Sequence, residues 1–141
     1  MPQVNEWLDW IDKASGDLKS ARKLMKDDDE TLHNAAYFTQ QAAEKALKAY
    51  LVFKHQSVIR THDLEKLLMN CMKLDSTFNQ LRAYTEILSP FATYTRYPDD
   101  RFDIDRTEAT EAIKYAEKVF KFVKAKIDPA EKTPQLSLFD F

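Results

Sequence analysis

The residues best equipped for chemistry fall in two short stretches. Arg60-Thr61-His62-Asp63-Leu64 lies at a predicted helix start, and Tyr94-Thr95-Arg96-Tyr97-Pro98-Asp99-Asp100-Arg101 forms a predicted loop. The second gathers aromatic, guanidinium and carboxylate groups where a helix is disfavoured, because Pro98 restricts the residue before it. An arginine fork matches two phosphate oxygens, and a tyrosine ring stacks on a base. On that chemistry Arg96, Tyr97 and Arg101 are candidate nucleotide-binding residues, with Asp99 orienting Arg96 when the site is empty. A plainer arrangement uses the same residues: an arginine paired with Asp99 or Asp103, and tyrosines packed at the edge of a core. His62 adds an imidazole, the side chain that ordinarily titrates near neutrality.

Other constellations are excluded or unsupported. The three histidines, His33, His55 and His62, show no metal-ligand spacing, and a predicted loop separates the last two. Serines and aspartates are plentiful, but no Ser-His-Asp arrangement stands out. Cys71 lies on an apolar stripe and reads as a buried structural thiol. As the single cysteine it rules out an intrachain disulfide scaffold and a Cys-rich zinc site. The single glycine, Gly16, rules out glycine-rich phosphate loops, nucleophile elbows and dinucleotide fingerprints. Neither a metal nor a cofactor is implied.

The elements that must position these residues are helical. A chain of 141 residues that is 44% apolar and 31% charged has the balance of one globular domain. So little glycine argues against a sheet with many tight turns. No apolar run is long enough for a membrane span, and the N-terminus lacks the features of a signal peptide. The expected location is a reducing cytoplasm. The net charge of −2 argues against broad nonspecific nucleic-acid binding while permitting a local basic patch.

Val4, Leu8, Ile11, Leu18, Ala21 and Met25 recur at helical spacing and predict a first helix. The acidic run 27–30 interrupts it and suits the start of the next, over about 31–55. Ala35, Ala42, Ala46, Ala49 and Phe53 mark the buried face of this second helix. Glu44 and Lys48 are expected as an i,i+4 pair on its outside. A third helix opens at Thr61 or His62, with Leu64, Leu67, Leu68 and Cys71 on one side. After Asp75 the pattern restarts through Phe78, Leu81, Tyr84, Leu88 and Phe91, with Pro90 placed to kink it. Asp105 and Glu108 have capping-box spacing. Behind them Ala109, Ala112, Ile113, Ala116, Val119, Phe120, Val123 and Ile127 form the cleanest stripe. The expected fold is all-α: an up-and-down four-helix bundle with an additional short helix over 1–127, then a flexible tail over 128–141.

Three of these stretches together resemble a known family. The run Tyr37-Phe38-Thr39-Gln40-Gln41-Ala42-Ala43-Glu44-Lys45-Ala46-Leu47-Lys48-Ala49-Tyr50 is similar to the second-helix signature of HEPN domains. Thr61-His62-Asp63-Leu64-Glu65-Lys66-Leu67-Leu68 resembles that family's next helix start, and Arg96-Tyr97-Pro98-Asp99 the element before its last helix. The resemblance implies a helical bundle, often dimeric, that binds nucleotides or RNA and works with a minimal nucleotidyltransferase, as in prokaryotic toxin–antitoxin pairs. Many such domains are metal-independent ribonucleases, with an arginine followed four to six residues later by a histidine. No histidine follows His62 in this chain, so neither Arg96 nor Arg101 has that partner. Arg96, His62 and Asp99 are therefore the candidate catalytic residues of an alternative, ribonuclease reading.

In the tail, Gln135-Leu136-Ser137-Leu138-Phe139 resembles the peptide by which bacterial replication and repair proteins dock on the sliding clamp. Gln135, Leu136, Leu138 and Phe139 are thus candidate partner-binding residues of a helical adaptor. The same apolar groups could instead pack on the bundle, a dimer mate or the nucleotidyltransferase. A homodimer is expected from the resemblance, and from Trp7, Trp10 and Phe122 as aromatics that one small bundle leaves partly uncovered.

Overall fold

In a computed structural model of the chain, residues 6–26, 29–94 and 103–128 are described, and every regular element among them is helical. Among the described residues there are six α-helices: α1 (Glu6–Leu24), α2 (Leu32–Phe53), α3 (Leu64–Leu74), α4 (Arg82–Leu88), α5 (Phe91–Tyr94) and α6 (Arg106–Ile127). Short 3-10 turns cover Asp29–Thr31 and Ser76–Leu81.

The centre of the bundle is α2, which packs against α1, α3, α4, α5 and α6. Its alanines at 35, 36, 42, 43, 46 and 49 are fully buried and let neighbouring helices approach closely. On α1, Ile11, Ala14, Leu18 and Ala21 face this core. Leu8 does not: it is exposed, and Trp7 packs on the core instead, with its ring edge against Phe53. Along α6, Ala109, Ala112, Ala116, Val119, Val123 and Ile127 are buried, while Ile113 and Phe120 lie at the flank of the stripe.

The third arm is broken into pieces. Asp63 caps α3, its carboxylate accepting from the backbone of Glu65 and Lys66. Asp75 ends α3 and caps the following 3-10 turn through the Thr77 amide. The stripe then continues through Phe78, Leu81 and Leu88 to Phe91, with Pro90 at the interruption between α4 and α5. The last long helix begins with the full capping box of Asp105 and Glu108.

With a single glycine in the chain, α2 ends on an unusual residue. His55 adopts a positive φ of 62°, and the His55 and Gln56 amides donate to Val52 and Leu51 carbonyls. That is the Schellman closure, with histidine where glycine is usual. Trp7, Trp10 and Phe122 are all partly buried against the core, Phe122 edge-on to Phe78. Each therefore keeps part of its surface uncovered by the bundle, as the sequence led one to expect.

Candidate functional site

The site begins with a departure from the usual logic of helix surfaces. A glutamate four residues before a lysine normally marks a solvated face. Because α2 is enclosed on several sides, Glu44 and Lys48 lie inside, their side chains only 3% and 8% exposed. Lys48 Nζ is 2.8 Å from Glu44 Oε2 and 5.4 Å from the centre of the Trp10 ring on α1. The expected outside pair is thus an internal one, and α1 covers it.

A buried carboxylate needs hydrogen bonds to replace lost water. Glu44 obtains them from α2 itself and from the segment entering α3. Gln41 Nε2 donates to Glu44 Oε1 at 3.3 Å and to Gln40 Oε1 at 2.8 Å. Gln40 Nε2 donates to the His62 carbonyl at 3.1 Å, which ties the loop before α3 to the middle of α2. Its contact with Glu44 Oε1, at 3.5 Å, is at the long limit. The His62 ring completes the set, with Nδ1 2.9 Å from Glu44 Oε1. Among the described residues, no buried side-chain nitrogen or oxygen lacks a partner.

The result is an exposed imidazole held from below. The His62 side chain is 64% exposed although its anchor is almost sealed. This inverts the ordinary surface ion pair, in which two mobile side chains meet in water for little gain. Here one partner is fixed before the other arrives. A carboxylate oriented on one ring nitrogen sets which nitrogen carries the proton and where the other one points.

Beside this network, an open cleft of about 480 Å³ is lined by Glu6, Trp10, Val52, His55, Gln56, Ser57 and Val58. Trp10 therefore lines the cleft while also lying beneath the Lys48 ammonium. Cys71 is buried on α3, and burial pushes its thiol up to about 12, far from a reactive thiolate.

Of the residues singled out in the sequence, His62 is placed in this network. Arg96, Tyr97, Asp99 and Arg101 lie outside the described residues, as do Gln135, Leu136, Leu138 and Phe139. Arg60 and Asp103 are exposed. Sequence reasoning gave Glu44 and Lys48 only a helix-supporting role on the outside, and gave Gln40 and Gln41 no role beyond their place in the Tyr37–Tyr50 run. The available signal was a second helix with alanines on several faces, which leaves little surface for its polar groups.

An enclosed alanine-rich helix, a segmented third arm and a capped last helix define an all-α bundle of the HEPN type. The family model for the HEPN domain matches residues 7–126, and the chain belongs to that family. Among solved structures, TT1696 from Thermus thermophilus is similar at 29% identity and a TM-score of 0.78. That match covers 87% of this chain and 99% of the other. ST0689, an archaeal HEPN homologue, is similar at 28% identity and a TM-score of 0.68, over 86% of this chain and 97% of that one. No protein with a curated description matches the sequence.

Proposed function

We propose that this HEPN domain binds a nucleotide or RNA and acts with a minimal nucleotidyltransferase partner, as in prokaryotic toxin–antitoxin pairs. The observation that carries the reading is His62, presented to solvent from the segment before α3 and held by the buried Glu44 of α2. A polar network this deeply buried is costly to assemble. Packing alone would favour an apolar side chain at position 44. In this reading Arg96 and Arg101 supply the charge that phosphate requires, Tyr97 shapes the pocket, and His62 supplies a directed ring nitrogen.

Titration calorimetry of the purified protein with ATP and with a short RNA tests it. Binding is expected in the wild type and is lost on Arg96→Ala with Arg101→Ala, while the melt stays within about 1 kcal/mol of wild type. Undiminished binding by the double variant would place the site elsewhere. A large loss of stability would make these arginines structural.

The ribonuclease reading is favoured by one observation, the Glu44–His62 contact, since an oriented imidazole is the usual means of moving a proton to or from a hydroxyl. Cleavage of RNA by wild type in the presence of a chelator, lost in His62→Ala, would establish it. Intact RNA after prolonged incubation would restrict the domain to binding.

A further inference from the structure

The polar hydrogens of the network point inward. Lys48 Nζ donates to Glu44, the Gln41 amide to Gln40 and Glu44, and the Gln40 amide to the His62 carbonyl. Glu44 is an acceptor only, so the hydrogen between it and the neutral imidazole belongs to His62 Nδ1. The other ring nitrogen, Nε2, then carries a lone pair, and it lies on a largely exposed side chain. Within this cluster, the feature offered to a ligand is therefore a hydrogen-bond acceptor.

An acceptor repels phosphate oxygens and cannot hold them. It suits a hydroxyl or an amino group. Resting on the nucleotide-binding reading above, we infer that His62 Nε2 accepts a hydrogen bond from a ribose hydroxyl, with Glu44 as the residue that positions it. The site on this side of the domain thus selects ribonucleotides over deoxyribonucleotides, since the 2′-hydroxyl is the donor that separates the two. Phosphate is left to cationic groups elsewhere. Gln40 acts in the same device from the backbone side: by holding the His62 carbonyl to α2 it keeps the ring within reach of Glu44.

Lys48 makes the choice of tautomer testable. An ammonium only donates, so in Glu44→Gln Lys48 retains the new amide's oxygen and the amide NH2 faces His62; Gln41, which donated to the same Glu44 oxygen, gives up that bond and keeps its shorter one to Gln40. The ring must then accept at Nδ1 and carry its hydrogen on Nε2, which converts the outward acceptor into a donor. A purely structural role for Glu44 predicts no such exchange.

The experiment measures affinity at about pH 8, above the ordinary histidine range. The probes are ATP, its 2′-deoxy and 3′-deoxy analogues, and hexa-adenylate as RNA and as DNA. The ribo forms are expected to bind about two- to tenfold tighter, the value of one net hydrogen bond. The two deoxy analogues identify which hydroxyl is used. His62→Ala is expected to erase the preference, with its melt recorded to show that the variant is folded. Glu44→Gln is expected to erase it too, with nitrogen-15 spectra showing the hydrogen moved from Nδ1 to Nε2. Equal affinity of wild type for ribo and deoxy probes overturns the inference but leaves nucleotide binding standing. So does a preference that survives His62→Ala. Failure of the wild type to bind any probe overturns both. Should Glu44→Gln not fold, His62→Ala alone decides.

Discussion

Replacing Glu44 by leucine should damage the fold more than any surface charge change. The substitution removes a carboxylate whose side chain is 3% exposed and leaves Lys48, 8% exposed, without its counter-ion. Breaking a buried pair from one side costs about 3–5 kcal/mol. Two features reduce this. The Lys48 ammonium keeps its place near the Trp10 ring, worth about 0.5–2 kcal/mol, and its long stem can carry the charge toward water. The expected net loss is about 2–4 kcal/mol, or roughly 6–16 °C in melting temperature for a domain of this size. Urea unfolding of Glu44→Leu, Lys48→Met and the double variant measures it. If the cost is that of a stranded charge, the double variant recovers most of the loss, because apolar replacements of a whole buried pair are often neutral. A Glu44→Leu protein within about 0.5 kcal/mol of wild type would refute the reasoning, as an exposed pair would give that result.

Acid sensitivity should report on Asp75. The Thr77 hydroxyl and then the Lys126 ammonium hold its carboxyl down to about 2, below its ordinary 3.8. A depressed folded value means that stability is present above the unfolded value and is lost as pH falls from about 4 toward about 2. Asp75→Asn should flatten that limb of a stability-against-pH curve, and an unchanged limb would remove Asp75 from the account. His55→Gly should stabilise by about 0.5–1 kcal/mol in chemical unfolding, since it relieves a left-handed backbone at the α2 terminus. A thiol reagent should leave Cys71 unmodified in the native protein and label it promptly in denaturant, because the thiol is both sealed and held at about 12.

How far the sequence could be read depended on whether a signal was local. The Asp105–Glu108 box, the break at Pro90 and the apolar stripe of α6 each depend on neighbours within one or two turns, and each is found where the spacing placed it. The family signature was legible in the same way, as three ordered runs. Burial of Glu44 and Lys48 was not, because an i,i+4 pair reads identically whether or not another helix lies over it. The crossing of Trp10 from α1 and the return of His62 before α3 are contacts that the local sequence of α2 does not show. Leu8 failed for the opposite reason: it fitted the spacing, but Trp7 one position earlier took the place against Phe53. The chemistry attributed to Arg96, Tyr97, Asp99 and Arg101 concerns residues outside those described.

The small side chains of α2 also have a consequence for alignment. Where the α2 surface is alanine it is nearly smooth, with ridges supplied mainly by Leu32, Leu47, Tyr50 and Leu51. Such a surface offers adjacent registers of similar contact area, one turn apart. The Glu44–Lys48 pair works against that degeneracy alongside the Lys45–Asp17 ion pair and the Trp7–Phe53 contact, since sliding α1 by a turn would take Trp10 away from Lys48, and shifting the α3 entry would strand Gln40 and Glu44 without His62. It thereby works as one of several keys to a single alignment. The Glu44→Leu/Lys48→Met variant should accordingly keep its helix content and much of its stability while its amide resonances broaden or multiply, the mark of helices free to choose among registers.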